Sequence, residues 1–372
     1  MQRARECGLY AVILAGGSGR ALWPMSREGK PGPFLDLLGD GPMIRHTIRR
    51  ARRITSPEHV LVVTDARGRG LLGECGVRLE KGSLILEPFQ RGTAAAIALA
   101  AAHVRRRDPE AVLVVLPSDH VILNEEAFEA VLLSAVAEAR RKESLVLLGI
   151  RPRSPETVYG YIQAGRPLGR PHVGGCTANA LYRARSFAEK PDLATAIRFV
   201  ESGDFYWNSG IFAAHVDVLF EAYRQALPDL YRDMLAIEDA IGTKAEVRVV
   251  SEVYSWIHPG SVDAAVMEKV DGIVLLAGEF GWHDPGSWDE VASLVAERRA
   301  FAGEGDEPET VRLEGENTFI RKPGGKVVAV IGASELIIVD TPDALLVCAK
   351  GESHRIGEAL DRLWRERMDE HL

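Results

Sequence analysis

The residues of this chain best suited to chemistry lie between Ala11 and Phe34. An apolar run, Ala11-Val12-Ile13-Leu14, enters Ala15-Gly16-Gly17-Ser18-Gly19, and the basic Arg20, Arg27 and Lys30 follow. Glycines at such a turn leave backbone N–H groups open to an anion, because no Cβ stands in front of them. With cationic side chains beside it, the pattern points to a phosphate site. It is not a Walker loop, since no Gly-Lys-Ser/Thr closes it. The dinucleotide fingerprint is a poor match too: Gly17-Ser18-Gly19-Arg20-Ala21-Leu22 lacks the third glycine, and Asp36 and Asp40 lie among Gly and Pro. From the glycines alone, a ligand-free strand-to-helix turn stays open as the alternative.

Several elements must hold that turn in place. β-Branched runs at 59–64, 84–86, 111–116 and 145–149 read as strands, with helices over 43–54, 94–106 and 127–142 between them. In the last helix Val131, Leu132, Ala135, Val136 and Ala139 form one apolar face at three- and four-residue spacing. Short apolar strands alternating with helices predict a mostly parallel sheet covered on both faces, with ligands beyond the carboxyl ends of its strands. The glycine turn and Asp119 then share one edge. Past residue 150 the pattern changes. Residues 151–171, rich in Pro, Gly and Tyr, read as hairpins or a pocket wall, and in a strand Tyr159 and Tyr161 share a face. Helices are expected over 193–200 and 216–226, and late strands over 247–253 and 273–276. The charged Gly/Pro stretch 297–308 is the candidate boundary. Beyond it, 327–331, 335–340 and 344–348 read as short β segments, followed by a helix over 355–368.

Composition excludes several classes. At 372 residues, 46% hydrophobic and 26% charged, the chain is of globular type and long enough for one large α/β domain plus a smaller one. Its 53 acidic against 45 basic side chains give a net charge of −8, which argues against a general nucleic-acid coat. Arg49, Arg50, Arg52 and Arg53, like Arg105, Arg106 and Arg107, read as solvated helix faces or ends rather than polyanion sites. Cys7, Cys75, Cys176 and Cys348 have neither metal-ligand spacing nor the density of a disulfide scaffold. The first residues lack an apolar signal core and no apolar run reaches about 18 residues, so the cytoplasm is the expected location and no membrane partner is expected.

The segment 11–34 resembles the opening signature of the mannose-1-phosphate guanylyltransferase family, within the sugar-1-phosphate nucleotidyltransferases. Further motifs follow in that family's order. They are Glu87-Pro88 with Arg91 and Thr93-Ala94, then Leu116-Pro117-Ser118-Asp119-His120, and Pro155-Glu156-Thr157 with Tyr159-Gly160-Tyr161. Next come Phe187 with Glu189-Lys190-Pro191, Trp207-Asn208-Ser209-Gly210, Ser261-Val262-Asp263 and Val266-Met267-Glu268-Lys269. Gly281-Trp282, Asp284 and Gly286-Ser287-Trp288 complete the set. The resemblance implies a Rossmann-like nucleotidyltransferase three-layer α/β sandwich with a mostly parallel mixed sheet over 1–298. Over 299–372 it implies a linker, a small β-helix-like C-terminal region and a terminal helix, an appendage that helps assemble a homodimer. The implied reaction moves GMP from GTP to mannose-1-phosphate. A sugar-phosphate oxygen attacks the α-phosphorus and pyrophosphate leaves, with no enzyme nucleophile. Mg²⁺ is the implied cofactor, held by Asp119 and Asp284, although either aspartate alone is equally a turn cap. Ala15, Gly16, Gly17, Ser18, Gly19, Thr93 and Ser118 are implied for the nucleotide, with Glu87 reading the guanine edge. Gly160, Glu189, Lys190 and Asn208 are implied for the sugar. Trp282 and Trp288 are expected to pack, and His120 and His283 to be structural.

The chain departs from the family on the phosphate side. Where the family has Gly-x-Gly-Thr-Arg-Leu-Trp-Pro, Arg20 takes the threonine position and Ala21 the arginine position. The family's Pro-Lys ahead of a phenylalanine is here Pro31-Gly32-Pro33-Phe34. Losing one preorganised phosphate donor costs ~10²–10³ in rate. Arg20 and Lys30 are the candidate substitutes, and with Asp119 and Asp284 they make up the expected catalytic set. On the base side, the family's Arg-Asn-Thr-Ala-Pro is Arg91-Gly92-Thr93-Ala94-Ala95, so one amide contact is missing. The alternatives are a weak or inactive sugar-nucleotide-binding regulatory subunit, a related enzyme for another sugar-1-phosphate or nucleotide, and an α/β protein with an unrelated ligand.

Overall fold

The computed structural model describes residues 8–17, 20–169, 180–302, 310–313, 316–322, 324 and 326–372. In chain order the elements begin with β1 (Leu9–Leu14), α1 (Met43–Ile54), β2 (Val60–Thr64), α2 (Ala66–Glu74), β3 (Leu84–Leu86), α3 (Thr93–Arg107), β4 (Val112–Pro117), β5 (Val121–Ile122) and α4 (Glu125–Ala139). There follow β6 (Val146–Ile150), β7 (Gly160–Gly169), β8 (Leu181–Glu189), α5 (Leu193–Ser202), β9 (Phe205–His215), α6 (Val216–Ala226), α7 (Pro228–Ala240) and α8 (Glu246–Trp256). After a π-helical turn at Asp263–Met267 come β10 (Val274–Gly278), β11 (Trp282–His283) and α9 (Trp288–Ala302). The last elements are β12 (Thr310–Leu313), β13 (Phe319–Arg321), β14 (Val328–Ile331), β15 (Leu336–Asp340), β16 (Leu345–Ala349) and α10 (Ile356–Arg365).

The chain divides into two compact units, each made of three segments. The first comprises Met1–Gly16, His46–Ser118 and Asn124–Trp282. Its nine-stranded sheet runs β3-β2-β1-β4-β9-β6-β10-β8-β7. β3, β2, β1 and β4 are mutually parallel, as are β6 and β10, whereas β9 runs antiparallel between β4 and β6. The sheet is therefore mixed. Alternate strand residues Tyr10, Val12, Leu61, Val63, Leu113 and Val115 pack with α3, α6, α7 and α8 in one core. Ala11, Ile13, Val60, Val62, Val112 and Val114, between them, are buried as well. Both faces are covered, as continuous apolar strands require, and three layers result. The central layer admits α3 closely because the segment 94–102 of that helix is alanine except for Ile97 and Leu99.

The second unit comprises Gly17–Arg45, Asp119–Leu123 and His283–Leu372. Leu22, Leu35 and Leu37 share its core with Trp288, Phe319, Ile337, Val339, Ile356 and Leu360. The C-terminal β region is built from parallel β12–β14 and β13–β15 ladders, with β16 antiparallel to β15.

Most expected elements appear within one or two residues, but the strand expected over 247–253 does not form. Residues 247–253 form part of α8 rather than a strand. Its valines carry helical spacing, with Val250, Val253 and Tyr254 turned inward and Val247 out, so β-branched composition misled where periodicity decides. Helices α2, α7 and α9 and strands β8 and β9 were not among the expected elements. The boundary stretch 297–308 begins as helix, since α9 continues to Ala302, and residues 303–308 lie outside the described ones. Two helix arginines also differ from expectation, Arg105 being half-buried against Glu238 with its guanidinium 3.5 Å from the Phe220 ring centroid. Arg50 is buried, donates to Thr47 Oγ1 at 2.7 Å, and burial lowers its pKa to about 10. Trp282 and Trp288 are buried packing residues, as expected.

Candidate active site

At the carboxyl ends of β1 and β4 the chain is tightly tied. Ser118 donates to the Leu14 carbonyl through both its hydroxyl, at 2.6 Å, and its N–H, at 3.2 Å. Thr47 in α1 donates its hydroxyl to the Ser118 carbonyl at 3.3 Å and accepts from Arg50. Ala15 donates its N–H to Val63 and accepts from Thr64 Oγ1 at 2.6 Å, so its own polar backbone is occupied. Gly16 and Gly17 are open: a Cβ at either meets nothing within 4 Å, and Gly17 has φ +107°. Ser18 and Gly19 lie outside the described residues.

Glu87 follows β3 and is buried. Burial pushes its pKa up to about 7, against a hydrogen bond from Tyr254 that lowers it, with the charge of Asp65 raising it further. Tyr254, on α8, donates to Glu87 Oε1 at 3.1 Å. The neighbouring loop explains the departure at Gly92. This residue has φ +80°, and a Cβ on it meets the Gly260 carbonyl oxygen at 2.3 Å. Gly260 also accepts from Ala94 N–H and donates to the Arg91 carbonyl, while Thr93 Oγ1 accepts from Val262 N–H at 2.8 Å. An asparagine cannot occupy position 92 in this backbone, because the Gly260 chain fills the space a side chain needs.

A second cluster gathers the sugar-side residues. Gly160 opens β7 opposite Glu189 at the end of β8, and a Cβ on Gly160 meets Glu189 Oε2 at 2.7 Å and Asn208 Cβ at 3.5 Å. Lys190, with φ +46°, places its ammonium 3.8 Å from Glu189. Asn208 donates to Asp263 Oδ1 at 2.6 Å and accepts from Gly210 N–H at 3.1 Å, and these opposed partners fix which way its amide faces. Burial raises the pKa of Glu189, and the charge of Asp263 adds to it. Tyr159 stands edge-on to Trp207 and Trp282, with ring centroids 5.2 and 5.3 Å away. Tyr161 instead faces Phe199, so the two tyrosines do not share a surface.

In the second unit lie Arg20, Lys30, Asp119 and Asp284. Arg20 is 54% exposed and donates to Glu28 at 3.3 Å. Lys30 is exposed, with no ion pair among the described residues. Gly32 is buried, yet a Cβ there meets nothing within 4 Å. Asp119 stands two residues before β5, which pairs with β11, and Asp284 directly follows β11. Burial raises the Asp119 pKa, and only a hydrogen bond within its own backbone opposes this. No group of three or more metal-ligating side chains occurs among the described residues. Magnesium does not need one, since it is held by one or two carboxylates plus substrate phosphates and water. Carboxylate oxygens are the donors such a hard cation takes, and Asp119 and Asp284 supply them next to the paired strands β5 and β11. His283 is held 3.2 Å from Glu297, and His120 is buried.

Sequence reasoning assigned no role to Tyr254 or Asp263. Asp263 was visible in the motif Ser261-Val262-Asp263, but only its bond to Asn208 shows what it does. Tyr254 carried no signal, since it belongs to none of the motifs and its bond to Glu87 spans 167 residues of sequence.

A glycine turn after the first strand of a mixed, doubly covered sheet, with carboxyl and amide clusters on later strands of that sheet, defines a nucleotidyltransferase-type α/β fold. The chain matches the nucleotidyl transferase family over residues 10–298 and the MannoseP isomerase/GMP-like beta-helix domain over 308–363. It is 36% identical over 363 residues to xanthan biosynthesis protein XanB of Xanthomonas campestris pv. campestris (strain B100), covering 95% of this chain and 72% of that protein. It is 34% identical over 374 residues to mannose-1-phosphate guanylyltransferase of Escherichia coli (strain K12), covering 98% and 75%. A crystal structure described as a mannose-1-phosphate geranyltransferase from Thermus thermophilus superposes with TM-score 0.77 and 31% identity, over 96% of this chain and 99% of that one. The chain belongs to the nucleotidyl transferase family, among the mannose-1-phosphate guanylyltransferases. No helix among the described residues is long and apolar enough to cross a membrane.

Proposed function

We propose that this protein transfers GMP from GTP to mannose-1-phosphate, giving GDP-mannose and pyrophosphate. The observation that carries this reading is the cluster of Gly160, Glu189 and Asn208, where an absent side chain lets the Glu189 carboxylate lie against the β7 backbone beside an oriented amide, a donor and acceptor set suited to sugar hydroxyls. Glu189 and Asn208 would bond the sugar hydroxyls, and Lys190 would meet its phosphate. Glu87, once ionised, accepts from two adjacent donors, as on the guanine edge. Gly16 and Gly17, with Ser18, Gly19, Thr93 and Ser118, would line the nucleotide. Arg20 and Lys30 would stabilise charge on the phosphates as the sugar-phosphate oxygen bonds to the α-phosphorus and the bond to pyrophosphate breaks. The family's divalent ion is taken as Mg²⁺, held by Asp119 and Asp284, and it would neutralise phosphate charge. The same reading places the protein in the cytoplasm and makes residues 299–372 an assembly region. Leu345 and Val347, exposed on β16, which pairs on one side only among the described residues, support a homodimer.

One observation favours a second reading. With Ala21 and Gly32 at the family's cationic positions and Arg20 in an exposed ion pair, the protein would be a sugar-nucleotide-binding regulatory subunit with little turnover. Pyrophosphate release with Mg²⁺ separates the two, testing GTP, ATP, UTP and dTTP against mannose-1-phosphate and glucose-1-phosphate with product mass. GDP-mannose formation is the expected result. Binding of GDP-mannose without turnover for any pair would leave the regulatory reading.

A further inference from the structure

The turn 27–30 is closed by two backbone hydrogen bonds, Arg27 N–H to the Lys30 carbonyl at 3.2 Å and Lys30 N–H to the Arg27 carbonyl at 3.0 Å. Lys30 ends this turn, and Glu28 inside it holds Arg20. Both cations that stand in for the altered family positions therefore depend on one short turn. That turn is gripped from the far end of the sequence. Arg27 Nη2 alone donates to both carboxylate oxygens of Asp343 at 3.1 Å, Nη1 donates to the Pro24 and Ser26 carbonyls, and the guanidinium lies 5.6 Å from the Trp23 ring centroid. Arg27 holds the Asp343 carboxyl below its usual range, and Thr341 Oγ1 donates to it at 3.0 Å. Beside this fork, the Trp23 indole donates to the His371 carbonyl at 2.7 Å, and the Trp288 indole donates to the Trp23 carbonyl at 2.7 Å.

We infer that Asp343 is a positioning residue for the phosphate-handling cations, acting through Arg27 on the turn that carries Lys30 and Glu28, so that the C-terminal β region is a working part of the phosphate site. This rests on the reading of Arg20 and Lys30 as phosphate contacts. The guanidinium of Arg27 is spent on Asp343 and two carbonyls, so its role is to fix the turn. The planar guanidinium fork, with Nη2 on the carboxylate and Nη1 on two carbonyls, imposes orientation as well as attraction. The pair is also partly exposed, 17% on the Arg27 side and 48% on the Asp343 side, so its share of folding stability is small. Rate should therefore suffer more than stability.

The test is steady-state pyrophosphate release with GTP, mannose-1-phosphate and Mg²⁺, alongside melting temperature. Asp343→Asn should lower kcat about tenfold, with KM for mannose-1-phosphate within about twofold, because a small misplacement of a catalytic cation acts on the chemical step. Asp343→Glu, which keeps the charge, should recover most of the loss. Arg27→Lys, which keeps charge but loses the fork, should fall as Asp343→Asn does and serves if that variant does not fold. Parental kcat in both Asp343→Asn and Arg27→Lys, while Lys30→Ala loses turnover, overturns the inference alone. Unchanged kcat in both Lys30→Ala and Arg20→Ala overturns the cation reading and this inference with it.

Discussion

Glu87 and Asn208 in the first unit, proposed to read base and sugar, and the proposed phosphate cations of the second are held in contrasting ways. Glu87 is buried against Tyr254, and Asn208 is pinned between Asp263 and the Gly210 N–H. Arg20 and Lys30 stand at the surface, Lys30 at the end of one short turn and Arg20 paired with Glu28 inside it. Glu87 and Asn208, each fixed by specific partners, tolerate little change, because any shift leaves a polar partner unsatisfied. Exposed cations can be moved along the chain at small cost to folding. The difference teaches why Glu87 and Asn208 stay at their family positions while the cationic positions of the phosphate side are altered.

The sharpest way to break this comparison is Gly160→Ala. Its Cβ would stand 2.7 Å from Glu189 Oε2, the far end of a flexible side chain, so the fold should survive while the carboxylate is displaced. We predict a fall of about 100-fold in kcat/KM for mannose-1-phosphate, with GTP affinity unchanged, since misplaced positioning groups cost on that order. A loss below threefold would mean that the cluster does not hold the sugar.

Gly32→Lys works in the opposite direction. The site is buried but open, with nothing within 4 Å of a Cβ, so restoring the family's lysine requires no rearrangement near the backbone. One preorganised donor contributes ~10²–10³, and Arg20 and Lys30 already cover part of it, so kcat should rise about 30-fold. An unchanged kcat would show that position 32 no longer faces the phosphates, and the idea of relocated cations would lose its main support.

Much of this was legible in the sequence, for reasons that differ by residue. β3 and α1 matched because apolar periodicity and their boundaries are local. The meeting of Gly160, Glu189 and Asn208 followed from motif order, but its geometry did not, since it depends on the β7–β8 and β7–β9 ladders. Gly92 read as a loss and proved to be a steric requirement set by Gly260, 168 residues away by number. Asp343 was invisible, because a turn aspartate has no pattern that tells where its partner lies. The burial of Arg50 was missed for a related reason: charge on a helix usually faces water, and only the packing of α1 shows which arginine turns inward.

Glu87 sharpens the comparison through pH. Its carboxyl, raised to about 7 chiefly by burial, is mostly protonated in the free protein at pH 6, whereas accepting from guanine requires the ionised form. KM for GTP should therefore rise as pH falls through about 7, reaching about tenfold above its alkaline plateau at pH 6. Tyr254→Phe removes a hydrogen bond that favours the carboxylate, so the midpoint should move to higher pH. Stability should run the other way. A carboxyl whose folded pKa lies above its unfolded value binds more protons when folded. Its stabilising contribution is complete below the unfolded value near 4.5 and is lost as pH rises through about 7. The span corresponds to about 3 kcal/mol at most. Glu87→Gln should abolish both slopes, raising the melting temperature at pH 8 while weakening GTP binding there. A KM that stays flat from pH 6 to 8 in the parent protein would remove Glu87 from base recognition and leave Tyr254 and Glu87 as packing partners only.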